Sequence, residues 1–325
     1  MAEKIAEKIR ELAELLDEEH IARALGLPVE VVRGVLSGEV PDEALDDFDP
    51  KKPPDVRLVE RKKFVRTKII GVASTGGCGA TTLTAVLAVL SAKKSGLPVA
   101  AVDLNEFAGL GPALGLDTMG EQAAFYPGIS WWSGGDVGDS VVQHPVLENL
   151  SLVLGAATVE RWLELKFESL PVLLNKLAGA QAAVWVDCPA SPALHETLFP
   201  CLDVLLFVLR MDAPSLASFC RTLPLIKKHG AEEKTAVVLN FEGAAGGLSA
   251  GECRRVLRKF TEVPAIAVLP EDLEVKDALR AGRCLALDSP RSPFVLGAEG
   301  VLSALWPEAS PAKKRRGFLA ALFGG

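Results

Sequence analysis

The sequence predicts an α/β protein in which helices cover both faces of a mostly parallel β-sheet (a doubly wound sheet), preceded by a small, entirely helical module. Two observations carry this prediction. From residue 67 onward, short continuous Val/Ile/Leu runs alternate with helical stretches, which is typical of parallel strands buried on both faces. Before that point, apolar residues recur at helical spacing. The predicted strands span residues 69–73, 99–102, 150–154, 182–186, 204–208, 236–239 and 265–268.

The chain divides into four predicted segments. Residues 1–38 form the helical module, in which a short helix, a turn at Gly26 and a second helix opened by Pro28 match the helix-turn-helix pattern. Residues 39–66 form a linker interrupted by prolines. Residues 67–308 form the α/β domain, and residues 309–325 form a tail with its own chemistry.

Composition excludes several classes of protein. The 35 lysines and arginines against 42 aspartates and glutamates give a net charge of −7, which argues against wholesale nucleic-acid binding. The six cysteines form no CxxC pair, and the four histidines lack metal-ligand spacing, which excludes a zinc ribbon. No signal peptide precedes the first helix, and no apolar run approaches the roughly 18 to 20 residues that span a bilayer. We therefore expect a cytoplasmic protein.

A glycine-rich loop follows the first predicted strand and leads into a helix. Residues 74–83 read STGGCGATTL. Glycines let backbone N–H groups approach an anion, and a helix N-terminus adds partial positive charge, so the loop is a candidate phosphate cradle. A nucleotide-binding loop also needs a lysine for the β- and γ-phosphates and a hydroxyl for Mg²⁺. The alternative is a tight strand-to-helix turn that binds nothing.

The loop resembles the deviant Walker A loop, KGGxGKT, of the MinD/ParA family of P-loop NTPases. The glycines of the family pattern correspond to Gly76, Gly77 and Gly79. Its variable position corresponds to Cys78, and its threonine pair corresponds to Thr81 and Thr82. Thr75 stands where the family has the lysine that reaches across a dimer interface. Ala80 stands at the second lysine, the phosphate clamp. Both lysines of the family pattern are therefore absent.

Three later segments continue the resemblance. Asp103 and Asn105 end the second predicted strand, where the family has DxD, so Asn105 replaces the acid that orients the attacking water. Asp187 stands at the end of the Walker B strand, and Asn240 stands where the family contacts adenine. The resemblance implies ATP or ADP as ligand, Mg²⁺ held by Thr81, Asp103 and Asp187, and a homodimer.

The departures from the family pattern predict weak or absent hydrolysis. One well-placed cation is worth roughly 10³ to 10⁵ in the rate of phosphoryl transfer, and two are missing here. By these departures the chain is most similar to the CpaE/TadZ group, which positions pilus-assembly machinery, although its N-terminal module is shorter. Two alternatives stay open: an active ATPase similar to MinD or FlhG, and a DNA-binding partition or regulatory protein.

The C-terminal segment combines a basic run with an apolar helical face, a pattern that suits the surface of an anionic membrane. The basic residues and the large apolar residues are Lys313, Lys314, Arg315, Arg316, Phe318, Leu319, Leu322 and Phe323. The segment also resembles the membrane-targeting sequence that ends MinD. We expect peripheral binding to the inner face of the cell membrane. The alternatives are a disordered end and a helix docked on its own domain.

The helical module is acidic, although a helix-turn-helix suggests DNA. Residues 1–50 carry five lysines and arginines against fourteen aspartates and glutamates. The second helix of the pattern offers only Arg33. Because phosphate neutralisation supplies most of the affinity for duplex DNA, we expect this module to bind another protein rather than DNA.

Overall fold

The computed structural model describes residues 5–13, 17–25, 27, 29–38, 69–118, 140–165, 167–189 and 192–307. The predicted linker (39–66) and the predicted membrane tail (309–325), with all its basic and apolar residues, lie outside the described residues. The chain divides into two compact units, one before and one after the boundary between Leu58 and Val59.

The first unit holds three short helices, α1 (Ile5–Ala13), α2 (Glu18–Leu25) and α3 (Val29–Leu36). Their apolar faces meet in a core of their own, which includes Ile9, Ile21, Leu27, Val32 and Val35. The N–H of Leu27 donates to the carbonyl of Ala22, 2.8 Å away, and closes the end of α2. These helices follow the predicted apolar periodicity.

The second unit is built on an eight-stranded sheet. The strands are β1 (Ile69–Ser74), β2 (Val99–Asp103), β3 (Val142–Gln143), β4 (Leu150–Val153), β5 (Ala183–Asp187), β6 (Val204–Arg210), β7 (Thr235–Glu242) and β8 (Ala265–Pro270). Their order is β3-β4-β2-β5-β1-β6-β7-β8, and every neighbouring pair is parallel except β3 with β4. All seven predicted strands are confirmed. The sequence analysis missed β3, because two residues leave no hydrophobic period.

Helices cover both faces of the sheet. They are α4 (Ala80–Ser95), α5 (Leu110–Ala113), α6 (Val159–Leu163), α7 (Leu170–Ala180), α8 (Pro192–Cys201), α9 (Ala213–Lys228), α10 (Ala250–Leu257), α11 (Leu273–Arg280), α12 (Leu285–Asp288) and α13 (Pro293–Leu305). Alternate residues of β1 face opposite layers: Ile70 and Val72 join the core under α4 and α13, whereas Ile69 and Ala73 join the core under α7 to α10. No helix among the described residues has the length and apolarity needed to span a bilayer.

This topology sets the position of the candidate site. β1 lies at the centre of the sheet, between β5 and β6. The chain connects β1 outward to β2 on one side and later to β6 and β7 on the other, so the strand order switches direction beside β1. In doubly wound sheets, ligands bind outside the carboxyl ends of the strands at such a switch point. The glycine loop and Asp103, Asp187 and Asn240 all lie at this edge.

Candidate functional site

The glycine loop forms an open cradle between β1 and α4. Gly76, Gly77 and Gly79 have φ of 95°, 63° and 86°, a left-handed conformation that side-chain-bearing residues rarely adopt. Gly79 precedes α4 and gives it no side-chain cap, so the first N–H groups of this 16-residue helix keep no intrahelical acceptor. Gly76 and Gly77 are exposed. Free N–H groups at a positive helix end are the donors that a phosphate requires.

Asn240 braces the loop from the neighbouring side of the sheet. Its side-chain Nδ2 donates to the carbonyl of Cys78, 2.9 Å away, and its Oδ1 accepts from the N–H of Phe241 at 2.8 Å. A Cβ on Gly79 would lie 2.7 Å from Asn240 Nδ2, so only glycine fits there without displacement. The buried amide therefore holds the loop; its predicted contact with adenine stays a prediction.

Two buried carboxylates and one hydroxyl lie on the other side of the loop. Asp103 and Asp187 end the paired strands β2 and β5 and are register partners. Thr81 Oγ1 donates to Asp187 Oδ2 at 2.8 Å. Asp103 accepts from the N–H groups of Asn105 at 3.0 Å and of Leu110 at 2.9 Å. The structure thus brings together the three residues predicted to hold Mg²⁺.

The electrostatics of this pair favour a cation. Burial raises the pKa of Asp103 to about 6, and the nearby charge of Glu106 adds to the shift. Burial and then the charge of Asp103 raise the pKa of Asp187 well above its usual range. Asp187 Oδ1 is buried without a hydrogen-bond partner, and no lysine or arginine in the described part of the chain pairs with either aspartate. An orphaned carboxylate oxygen fits a Mg²⁺ ligand, since hard cations take oxygen donors.

The protein alone does not complete a metal site. Among the described residues, no group of three or more histidine, cysteine, aspartate or glutamate side chains is arranged to hold a metal ion. Mg²⁺ characteristically keeps several waters and binds through one or two carboxylates plus substrate phosphates. The arrangement of Thr81, Asp103 and Asp187 therefore suits a hydrated Mg²⁺, whose remaining ligands are waters or the phosphates of a nucleotide.

The remaining loop residues follow the sequence prediction in position. Ala80 is buried at the first turn of α4, where the resemblance expects a lysine, and Thr75 lies at the start of the loop. Cys78 is buried, and its Sγ lies 3.5 Å from the hydroxyl of Ser215. Thr82 is half-buried in the first turn. The charge that the two family lysines would bring is absent from these positions.

Sequence reasoning missed two charged residues at the site. Arg210 ends β6 in register with Asn240, and its guanidinium lies 4.4 Å from the ring centre of Phe241. The ring of Phe241 in turn approaches Gly79, with Cε2 4.0 Å from where a Cβ would stand. Glu106 follows β2 and places a carboxylate beside the aspartate pair. The available signal was position: both residues stand at or just beyond the carboxyl end of a strand next to the loop.

The sheet order, the open glycine loop and the paired strand-end carboxylates match the doubly wound P-loop fold. The comparison with solved structures confirms this class. MinD of Pyrococcus horikoshii, in complex with Mg-ADP, superposes with a TM-score of 0.63 at 23% identity over 73% of this chain and 95% of that chain. A ParA-family ATPase of Chlorobium tepidum superposes with a TM-score of 0.61 at 21% identity, over 74% and 98% of the two chains.

Two further comparisons concern sequence and assembly. An uncharacterized ATP-binding protein of Methanocaldococcus jannaschii is 27% identical over 263 residues, 79% of this chain and 95% of that protein. MinD of Aquifex aeolicus, in a complex with MinC, superposes with a TM-score of 0.62 at 20% identity, over 76% and 99% of the chains. No protein-family model matches the sequence. The chain has the MinD/ParA fold.

Proposed function

We propose that this chain is a MinD/ParA-like protein that binds ATP or ADP with Mg²⁺ and hydrolyses it slowly or not at all. The observation that carries the proposal is the pairing of an open loop at the uncapped N-terminus of α4 with Asp187, whose Oδ1 is buried without a partner among the described residues. The loop matches the negative charge of the phosphates, and Asp187 matches the positive charge of the metal. The related proteins that bind ATP or Mg-ADP support this reading.

Binding without rapid turnover follows from the missing cations. Backbone N–H groups, the hydroxyl of Thr81 and the carboxylate of Asp187 remain to hold Mg-nucleotide. Ala80 and Thr75 provide no charge to stabilise the terminal phosphate in the transition state, and Asn105 is not an acid. Its Oδ1 instead accepts the N–H of Phe107 at 3.5 Å. We therefore propose that a bound nucleotide stabilises the assembled homodimer, and that rapid hydrolysis of the nucleotide is not part of the mechanism.

The first test is a titration with a fluorescent adenine nucleotide, with and without Mg²⁺. We expect saturable, Mg²⁺-dependent binding that Gly77→Ala strongly weakens, because Gly77 has a left-handed φ of 63° and a side chain there would strain the loop that is proposed to hold the phosphates. Gly96→Ala is the matched control: it has the same left-handed φ (66° against 63°), equally open surroundings, and lies at the other end of the same helix. Equal loss in both variants, or no binding by the wild type, would contradict the proposal.

Turnover separates this proposal from an active ATPase. We expect phosphate release far below that of MinD/ParA ATPases under the same conditions. A comparable rate that Asp187→Ala abolishes would establish the active alternative instead.

The predicted tail, residues 309–325, indicates that the protein acts at the surface of an anionic membrane. Four basic residues contribute about 1 kcal/mol each near an anionic leaflet, and each large apolar side chain contributes roughly 1.5 to 3 kcal/mol before the cost of ordering. One tail is then a marginal anchor, and the two tails of a homodimer bind through avidity. We expect co-sedimentation with anionic vesicles that is lost on deletion of residues 313–325; unchanged binding after the deletion would exclude this role.

We propose that the N-terminal helical module, residues 1–38, binds a partner protein. Arg33, the one cation of α3, forms an ion pair with Glu18, with 2.8 Å between Nε and Oε2. An acidic surface whose recognition-helix cation is already paired suits a protein partner better than DNA. We infer a role in spatial organisation or assembly, of the kind that the CpaE/TadZ group performs for pili. A salt-dependent gel shift of duplex DNA by the full chain, lost on Arg33→Ala, would favour DNA instead.

A further inference from the structure

The segment between β2 and α5 (residues 104–109) is held over the carboxylate pair at both ends. At its start, the N–H of Leu104 donates to the carbonyl of Asp187 at 3.1 Å, and the carbonyl of Leu104 accepts from Trp162 Nε1 at 3.0 Å. At its end, the N–H of Leu110 donates to Asp103 Oδ2 at 2.9 Å. The segment is therefore anchored to both aspartates of the candidate cation site.

Within this segment, two neighbouring side chains take opposite directions. Phe107 is 78% exposed. Glu106 instead carries its carboxylate inward, since its Oε2 is buried and has no hydrogen-bond partner among the described residues. Its charge contributes to the raised pKa of both Asp103 and Asp187, so it lies within electrostatic reach of both.

Two buried carboxylate oxygens thus lack a hydrogen-bond partner among the described residues, Glu106 Oε2 and Asp187 Oδ1, and the charge of Glu106 acts on Asp187. Asp187 is fully buried, and its other oxygen accepts from Thr81 of the phosphate loop. Buried unpaired charge is costly unless a cation or donors compensate it. A hydrated divalent cation provides both, with its own charge for Asp187 and the protons of its bound water for a more distant carboxylate.

We propose that Glu106 is a third carboxylate of the cation site, which accepts a hydrogen bond from a water on the bound Mg²⁺. Glu106 provides an acidic group one residue beyond Asn105, the position at which the family pattern has an aspartate. This inference rests on the proposed nucleotide site and names one more residue of it.

The test uses Mg²⁺ alone, with thermal unfolding of the full chain as readout. Glu106→Gln keeps the shape and removes the charge, so we expect a higher melting temperature than wild type in EDTA, because repulsion within the site is relieved. We also expect the Mg²⁺ concentration for half-maximal stabilisation to rise about tenfold or more, the usual effect of losing an outer-shell partner. Glu106→Asp should restore part of the response, and Glu148→Gln, at an exposed turn, should change neither value.

Each outcome decides the matter. If Glu106→Gln responds to Mg²⁺ as the wild type does, or if the wild type shows no response at millimolar Mg²⁺, Glu106 is not part of a cation site. If the fluorescent nucleotide still binds in either case, the proposed function stands and only this inference fails. If the wild type responds to Mg²⁺ through Glu106 but binds no nucleotide, the inference stands and the proposed function fails.

Discussion

Replacing Asp187 by asparagine tests the electrostatic description of the site without changing its shape. Asparagine keeps an oxygen that can accept the hydroxyl of Thr81, and its amide nitrogen takes the place of Oδ1, which has no partner among the described residues. The substitution removes one buried negative charge next to Asp103. We therefore expect Asp187→Asn to stabilise the metal-free protein while it weakens the binding of Mg-nucleotide.

The magnitude follows from the pKa of the neighbouring carboxyl. Burial and the charge of Glu106 move the pKa of Asp103 from 3.8 to about 6, and two units correspond to about 3 kcal/mol. Asp187 is equally buried and its pKa is raised well above its usual range, so the direction is the same, and relief of one buried unpaired polar group is worth on the order of 1 to 3 kcal/mol. A carboxyl with a raised folded pKa stabilises the fold below its unfolded pKa of 3.8, and this contribution is lost as the pH rises through about 6.

The assay is urea unfolding in EDTA, followed by tryptophan fluorescence at several pH values. All five tryptophans belong to the second unit and so report on it alone: Trp131, Trp132, Trp162, Trp185 and Trp306. Burial lowers the pKa of His144 and His195, which acts in the opposite direction, but these histidines are common to both proteins and cancel in the difference. A variant less stable than wild type at neutral pH, or a gain that persists at pH below 4, would refute this account.

Three further substitutions test the contacts that hold the glycine loop and the segment 104–109. Gly79→Ala should lower the free energy of unfolding by about 1 to 2 kcal/mol more than the control substitution Gly96→Ala. Both glycines have a left-handed φ, but only a Cβ at Gly79 would meet a neighbour, the Asn240 amide at 2.7 Å. Equal effects would show that the structure relieves this close approach. Asn240→Ala should cost about 1 to 3 kcal/mol in urea unfolding, since it removes the amide that bonds the loop carbonyl; unchanged stability would contradict a bracing role. Trp162→Phe should cost about 1 kcal/mol and weaken Mg²⁺-induced stabilisation, because it frees the carbonyl of Leu104; a full Mg²⁺ response would show that this anchor is dispensable.

Much of the fold was predictable because its strands are buried on both faces. Continuous apolar runs identified seven of the eight strands, and the side chains of β1 then divide between two cores as its alternating positions require. The missed strand, β3, is two residues long and pairs at the edge of the sheet, where no apolar run is needed. Pattern reasoning detects long buried elements and overlooks short ones that tertiary pairing alone creates.

The candidate site divides in the same way. Gly76, Gly77 and Gly79 were recognisable because they form one short run directly after an apolar strand, and Asp187 was recognisable because it directly ends another. Glu106 was not recognisable, because the next residue in the same short segment, Phe107, faces solvent, and residue type alone does not say which side chain turns inward. The direction in which each side chain points depends on the turn that Asn105 stabilises and on the anchors at both ends of the segment.

The sequence by itself determined the class of the sheet, the location of the glycine loop and the absence of the two lysines of the family pattern, since these depend on residue type and local order. Only the tertiary structure decided that Asn240, 162 residues beyond Cys78, bonds the loop, and that Asp103 and Asp187 end side by side with one oxygen unpartnered. The physical reason is that hydrophobic periodicity is written along the chain, whereas register between distant strands and the direction of a buried carboxylate arise only when the elements pack.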